Sequence, residues 1–208
     1  MDTGPSPEAP TPTALPYLRR FVRKRAVRER CELCDAELAA EHSHLLELAT
    51  RELACACEAC AILFSGQAGT RYRRVPRRSR FLPDFRLSDE AWGGLQLPIN
   101  LAFFVNSTPE GRVVALFPSP AGATESHLTP EAWRELVAEN PVLGTFEPDV
   151  EALLVNRMSA AGDCYRAGID QCYKLVGLIR THWRGLSGGS EAWEEIGRFF
   201  ADLKRKSS

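Results

Sequence analysis

Two apolar runs in the second half of the chain carry the clearest hydrophobic pattern. Residues 100–105 and 112–117 are rich in β-branched and aromatic side chains, and the polar sequence S-T-P-E-G between them is typical of a hairpin connection. Residues 150–157 and 165–169 have a similar composition and are two further candidate strands. The pattern therefore predicts a small antiparallel sheet.

Helices are predicted where a capping residue precedes an apolar stripe. Thr129 stands before Pro-Glu and starts a helix that Asn140 and the following proline end. Ser88 is predicted to cap a short helix. Near the C-terminus, Asp170 and Ser190 are predicted to cap two longer helices with apolar residues at helical spacing. Together with the sheet, these helices predict an α+β domain over residues 87–208.

The first 86 residues have a different character. Residues 1–16 are rich in Pro, Thr and Ala and are predicted to form a disordered tail. Residues 17–86 are predicted to form a basic helix followed by a metal module, and leucines at helical spacing in residues 41–53 predict a helix inside that module. The predicted fold class is therefore α+β, with an N-terminal four-cysteine, zinc-ribbon-like module, a small antiparallel sheet and C-terminal helices.

The cysteines are concentrated in this module. Five of the seven stand in the two sequences C-E-L-C and C-A-C-E-A-C. A C-x-x-C pair can hold one ion from a tight turn, and two such pairs supply the four thiolates of a closed tetrahedral site. We predict that Cys31, Cys34, Cys57 and Cys60 bind a structural Zn²⁺ cofactor, with Cys55 as the alternative to Cys57.

Two other metal assignments compete with this one. Iron in a rubredoxin-type centre is the first, although such centres usually have glycine after each pair, where this chain has Asp35 and Ala61. The second is a site at H-S-H, which is not expected because residues two apart point to different faces of a helix. His42 or His44 replacing one cysteine in the four-ligand site stays open as an alternative.

Two arginine-rich runs flank the cysteines. Such a charge suits an acidic protein surface, the phosphates of nucleic acid, or solvent alone. The whole chain has a net charge of −1 and contains no groove-reading motif, so a protein partner is favoured over nucleic acid. The predicted partner-binding residues in these runs are Arg19, Arg20, Arg23, Lys24, Arg25, Arg71, Arg73 and Arg74.

A stiff segment of small residues, 118–124, follows the second apolar run. It contains two prolines and a glycine, which predicts an irregular loop at the end of a strand. Such a loop can present backbone groups to a partner. We therefore add Pro118, Ser119 and Pro120 to the predicted partner-binding residues.

No group of residues identifies an enzyme. Ser119, Glu125, His127 and Asp149 could be combined into a triad, but the G-x-S-x-G elbow that supports one is missing. The sequence G-L-S-G-G-S at 185–190 lacks the lysine of a phosphate-binding loop. We predict no catalytic residue, and a non-enzymatic role is favoured.

The sequence also predicts a compartment. It has no apolar stretch of the length that a membrane helix needs. The first fifteen residues carry two acids and four prolines, whereas a signal peptide is basic and then apolar. We expect a cytoplasmic, reducing environment in which the cysteines are thiols or thiolates.

Several motifs together resemble a bacterial family of uncharacterised proteins found near nickel–iron hydrogenase genes. These motifs include C-E-L-C-x-A-E-L, C-A-C-E-A-C-A-I-L-F, A-L-F-P-S-P-A-G-A-T-E-S, E-P-D-V-E-A-L-L-V-N-R and H-W-R-G-L-S-G-G, and the resemblance covers residues 28–204. It implies a cytoplasmic accessory protein that assists hydrogenase assembly or maturation through contacts with a subunit or maturation factor. The alternatives are a zinc-dependent nucleic-acid-binding regulator and a rubredoxin-like electron-transfer protein.

Overall fold

A computed structural model describes residues 29–65, 69–158, 162–185 and 188–207. The predicted tail and almost all of the predicted basic helix lie outside these residues. In chain order the described elements are β1 (Ser43–Glu47), β2 (Leu53–Ala56), α1 (Glu58–Ser65), β3 (Tyr72–Arg74), β4 (Arg80–Phe81), α2 (Asp89–Gly94), β5 (Leu101–Ser107), β6 (Arg112–Ser119), β7 (Gly122–Ser126), α3 (Pro130–Glu139), a 3-10 helix (Pro141–Thr145), β8 (Glu151–Asn156), β9 (Asp163–Gly168), α4 (Ile169–His182) and α5 (Gly189–Lys206).

The larger sheet has six strands in the order β4-β9-β8-β5-β6-β7, and neighbouring strands are antiparallel. Its central strands are buried on both faces: in β5, Phe103 packs on one side and Phe104 on the other. Because successive side chains of a strand point to opposite faces, such a strand needs a cover on each side. The predicted antiparallel sheet and the α+β class are confirmed, and the sheet is larger than expected.

Helices supply both covers. On one face, α4 and α5 contribute Leu175, Ile179 and Phe200 to the core. On the other face, α2 contributes Trp92 and α3 contributes Leu136. The domain therefore has three layers, with the sheet in the middle.

The caps explain where the helices begin. The hydroxyl groups of Ser88 and Thr129 accept hydrogen bonds from backbone N–H groups in the first turns of α2 and α3, as predicted. The cap predicted at Asp170 is wrong, because α4 begins at Ile169 with Gly168 as its N-cap. Likewise, α5 begins ahead of Ser190. The Asp170 carboxylate, in the first turn of α4, instead lies 3.0 Å from the Nδ1 atom of His44 in β1.

A second, three-stranded sheet in the order β2-β1-β3 replaces the helix predicted for residues 41–53. The prediction fails because β1 is buried on both faces: Leu45 packs towards the cysteines and Leu46 towards the large core. Two adjacent buried leucines conceal the alternation that identifies a strand. The turn between β1 and β2 contains Arg51 with φ of 60°, and no glycine, proline or asparagine marks it.

The cysteine module is packed against the α+β domain. Leu46 of β1 and Val75 belong to the core beneath α4, and Arg80–Phe81 of β4 pairs with β9. The boundary near residue 86 stays a prediction. The module differs from a ribbon in one respect, since its second C-x-x-C pair begins just after β2 and runs into α1 rather than lying on a second hairpin.

No helix within the described parts of the chain has both the length and the apolar composition that crossing a membrane requires.

Candidate metal centre

Four thiol groups converge at one end of the small sheet. The sulfur atoms of Cys31, Cys34, Cys57 and Cys60 all lie within 4.8 Å of one another, and those of Cys34 and Cys57 are 3.7 Å apart. The sequence spacing predicted this set of four. The structure thus brings together a cysteine group that could hold a metal ion.

The first pair lies in a tight turn. The Cys31 N–H donates to the Ala36 carbonyl oxygen at 2.8 Å, and the Asp35 N–H donates to the Cys31 carbonyl oxygen at 2.8 Å. Asp35 has φ of 61°, the left-handed conformation that returns the chain. Aspartate tolerates this conformation better than most residues, so the position after the pair does not require glycine.

The second pair lies where β2 passes into α1. Cys57 directly follows the strand, and Cys60 lies in the first turn of the helix. The Cys60 N–H points at the Cys57 sulfur, with a nitrogen–sulfur distance of 3.5 Å. Free N–H groups at a helix start favour negative charge. The junction therefore places the Cys57 sulfur beside the N-terminal end of α1.

A direct contact ties the two pairs together. The Glu32 N–H donates to the Cys55 carbonyl oxygen at 2.9 Å, and the Cys55 N–H donates to Glu32 Oε1 at 2.7 Å. The first turn is thereby held against β2. Among the described residues, the buried non-cysteine members of the small core beneath the sulfurs are Leu45, Ala56 and Ala61.

The thiols do not ionise alike. Burial alone would raise the pKa of the Cys31 thiol, but backbone N–H groups in both cysteine turns donate to its sulfur and lower that pKa to about 6. Burial, together with hydrogen bonds that the Cys60 S–H donates to the neighbouring sulfurs, raises the pKa of Cys60 to about 12. Adjacent sulfurs resist carrying four negative charges, and a divalent cation removes that resistance by displacing their protons.

The donor set fits a tetrahedral ion. Ligand sulfurs about 2.3 Å from one tetrahedral ion lie about 3.8 Å apart, close to the 3.7 Å between Cys34 and Cys57. Four thiolates suit Zn²⁺ and also iron, because both accept tetrahedral sulfur ligation. With all four positions supplied by protein, such a site is closed and structural in type.

Cys55 lies elsewhere. Its thiol is grouped with His42 and His44, with one ligand atom from each residue within 4.8 Å of the others. The expectation that the two histidines cannot act together rested on the helix that the structure replaces with a strand. Sequence reasoning missed this group, although H-S-H followed by a cysteine was a usable signal once a hairpin is assumed.

The predicted partner-binding arginines of the second basic run are paired with nearby carboxylates. Arg71 contacts Glu47 at 2.5 Å, Arg74 contacts Glu58 at 2.7 Å, and Arg73 lies 3.3 Å from the buried Asp149. These ion pairs tie β3 and the residue before it to β1, to α1 and to the α+β domain. Their charge is largely compensated within the chain.

The other predicted partner-binding residues fall in two places. Pro118 and Ser119 end β6, and Pro120 begins the two-residue turn to β7, so the predicted irregular loop is in fact a hairpin. The Ser119 hydroxyl donates within this hairpin to the Gly122 carbonyl oxygen at 3.0 Å. The remaining predicted residues, Arg19, Arg20, Arg23, Lys24 and Arg25, lie outside the described residues.

Three of the four residues considered for a triad have hydrogen-bond partners outside that set. Glu125 pairs with Arg112, and Asp149 accepts hydrogen bonds from Thr108. The Ser119 hydroxyl is engaged in its own hairpin.

An exposed apolar surface on α1 was not predicted. Ile62, Leu63 and Phe64 are 58%, 69% and 43% exposed, and they follow directly after Cys60 and Ala61. Three consecutive large apolar side chains facing solvent are uncommon on a folded protein and indicate a contact surface.

Comparison with models of known protein families identifies one matching family. The model of DUF5947, described as a family of unknown function, matches residues 30–207, so the chain belongs to that family. Comparison with curated proteins gave no match, and comparison with solved structures gave none.

Proposed function

We propose that this member of DUF5947 is a zinc-stapled adaptor protein that acts through contacts with another polypeptide. In this proposal Cys31, Cys34, Cys57 and Cys60 hold one Zn²⁺, which orders the N-terminal module. The convergence of these four thiols carries the proposal. A closed four-sulfur shell leaves no position for a substrate, which supports a structural rather than a catalytic role for the metal.

The metal would act mainly on α1. That helix begins at the second cysteine pair, and among the described residues five form the small buried core of the module. The binding energy of structural zinc, about 10–16 kcal/mol in small zinc modules, is available as folding energy. The ion would therefore hold the exposed face of α1 in a defined orientation.

The partner is proposed to contact that face, formed by Ile62, Leu63 and Phe64. Desolvated apolar side chains at the centre of an interface contribute most of its binding energy. Glu58 and the paired Arg74 lie on the same helix and its neighbouring strand, which supplies a polar rim. This combination favours a protein partner over nucleic acid.

The resemblance to proteins encoded near nickel–iron hydrogenases suggests the partner: a hydrogenase subunit or maturation factor in the cytoplasm. The experiment is a binding measurement between the purified full-length chain and the hydrogenase proteins of the same organism, taken one at a time. Leu63→Asp is expected to weaken binding at least tenfold. Ile99→Asp is the matched control, because Ile99 is an apolar residue elsewhere that is 40% exposed.

Equal binding by the wild type and Leu63→Asp would contradict the proposed surface, and failure of every hydrogenase protein to bind would contradict the proposed partner. The same binding measurement on a shortened chain that begins at Glu29 tests the role of the preceding segment. If it binds more tightly than the full chain, the segment before Glu29 competes for the same face.

Metal analysis tests the cofactor separately. We expect a colourless protein with zinc in the four-thiol site. Iron is the one alternative that a contact supports, since the Cys60 N–H directed at the Cys57 sulfur is the kind of hydrogen bond that tunes iron–sulfur potentials. A red protein containing one iron per chain would replace the adaptor proposal with electron transfer.

A further inference from the structure

We propose that His42, His44 and Cys55 form a second metal site, distinct from the four-thiol site and with one coordination position open. The ligand atoms of these residues lie within 4.8 Å of one another. The inference does not depend on the adaptor function, because it concerns a different set of ligands.

Strand geometry places the three side chains together. His44 in β1 lies directly opposite Cys55 in β2, and Cβ atoms of opposed residues are about 4.5–5.5 Å apart. His42 precedes His44 by two residues, so both point to the same side of the strand. Their ring centroids are 4.8 Å apart. The intervening Ser43 points to the other side and is buried.

Hydrogen bonds orient both imidazole rings. His42 Nδ1 lies 3.0 Å from the Ala39 carbonyl oxygen, and His44 Nδ1 lies 3.0 Å from Asp170 Oδ2. A carbonyl and a carboxylate only accept, so each Nδ1 carries the proton and donates it. In the neutral ring the lone pair is then on Nε2. A carboxylate or carbonyl behind the imidazole is the usual support of a metal-binding histidine.

His42 has a buried acceptor atom that needs a partner. Its side chain is 8% exposed, and its Nε2 is buried without a hydrogen-bond partner among the described residues. Buried polar atoms are almost always paired, so an orphaned acceptor needs an explanation. The neighbouring Glu29 does not supply one, because its carboxylate lies 3.4 Å from the opposite nitrogen, Nδ1. A metal ion among the three ligands would satisfy Nε2.

The donor set indicates the kind of ion. Imidazole suits zinc, copper, iron and nickel, while thiolate selects among zinc, copper(I) and iron, and Zn²⁺ satisfies both without redox chemistry. Two nitrogen ligands and one sulfur ligand around a tetrahedral zinc ion lie about 3.3–3.6 Å apart, so the ligand atoms would move together by up to about 1.5 Å on binding. Three protein ligands leave the fourth position for water or a small ligand.

An entry path exists. His42 and His44 line an open cleft of about 340 Å³ between the module and α4, together with Lys174 and the first turn of that helix. The His44 side chain is 29% exposed. The cleft therefore gives an ion access to the two histidines without unfolding of the chain. The second site would be more readily exchanged than the first, because it has fewer ligands and is more open.

The test counts ions bound to the full-length chain, prepared metal-free under reducing conditions and dialysed against buffered free Zn²⁺. We expect two ions per chain for the wild type and one for Cys55→Ser and His42→Leu. The matched control is His182→Gln, because His182 also has a carboxylate partner, Glu191, but lies outside the site. It should bind two. Cys57→Ser reports on the four-thiol site independently and should lose that ion.

Asp170→Asn tests the support behind His44. It is expected to weaken the second ion by roughly 10–100-fold and to leave the first unchanged. A wild type that binds one ion, or a Cys55→Ser variant that still binds two, would overturn the proposal. So would loss of the four-thiol ion in Cys55→Ser with retention of the other, since Cys55 would then belong to the first site.

Cadmium NMR keeps the proposal testable if a variant does not fold. The wild-type chain loaded with ¹¹³Cd should give two resonances, one typical of four sulfurs and one shifted towards mixed nitrogen and sulfur ligation. A single four-sulfur resonance at saturating cadmium would refute the second site.

Discussion

Gly168 provides a sharp test of how the cysteine module is docked on the α+β domain. It ends β9 and caps α4 with φ of −61° and ψ of 144°, a conformation open to any residue. Space alone excludes a side chain. A Cβ atom at this position would lie 2.6 Å from the Pro76 carbonyl oxygen, 2.9 Å from Val75 Cγ1 and 2.6 Å from Asp170 Oδ1.

The cost of Gly168→Ala follows from these contacts. Real Cβ atoms essentially never approach a neighbour within 3.0 Å, and one of the atoms in the way is backbone, so the segment at Pro76 or the end of β9 must move. Overpacking of this kind costs about 1–3 kcal/mol. For a chain of this size each kcal/mol lowers the melting temperature by roughly 2–4 °C, which predicts a fall of about 2–12 °C.

Gly177→Ala is the matched control. Gly177 lies in the middle of the same helix, is exposed, and has no atom within 4 Å of where a Cβ would stand. Alanine in a helix interior is more stable than glycine by roughly 0.5–1 kcal/mol. The two substitutions add the same methyl group and should change stability in opposite directions.

Thermal and urea unfolding of the metal-loaded protein measure both variants. If Gly168→Ala is as stable as the wild type while Gly177→Ala is stabilised, then residues 75–76 do not pack over the start of α4. The docking of the module described above would then be incorrect.

Two further predictions concern the metal and the core. Chelation of the metal is expected to abolish hydrogen-exchange protection in β1, β2 and α1 and to leave β5 and β8 protected, because the four thiols lie in the module. Equal loss of protection in the module and in the α+β domain would contradict this prediction. Leu154→Ala, at a fully buried position of β8, should cost about 2–5 kcal/mol of unfolding free energy. Leu63→Ala, on the exposed face of α1, should stay within about 0.5 kcal/mol, and similar losses in urea unfolding would show that Leu63 is not solvent-exposed.

Local chemistry was sufficient for several elements. The Thr-Pro-Glu start of α3 and the hairpin of β5 and β6 could be predicted because caps, turn residues and apolar runs act over a few residues. Cysteine spacing likewise predicted which thiols would meet. A tight turn brings a C-x-x-C pair together wherever it occurs, so the pairs are local even though the site is not.

The hairpin of β1 and β2 could not be predicted in this way. Leu45 and Leu46 are both buried because one faces the cysteines and the other faces the large core, and each of these cores exists only in the folded chain. Without that knowledge the spacing of Leu45, Leu48 and Ala49 resembles that of a helix. The error propagated, since a helix separates His42 from His44 and a strand places them together.

The sequence by itself therefore determined the four thiols, most strands and helices of the α+β domain, and the absence of a familiar catalytic motif. Only the tertiary structure decided that Cys55 joins the two histidines, that Asp170 supports His44 across 126 positions of sequence, and that α1 exposes apolar side chains. The physical reason is the distance along the sequence over which the deciding interactions act. Turns and caps are set by neighbouring residues, whereas a cross-strand pair or a contact between module and domain requires the whole chain to be folded.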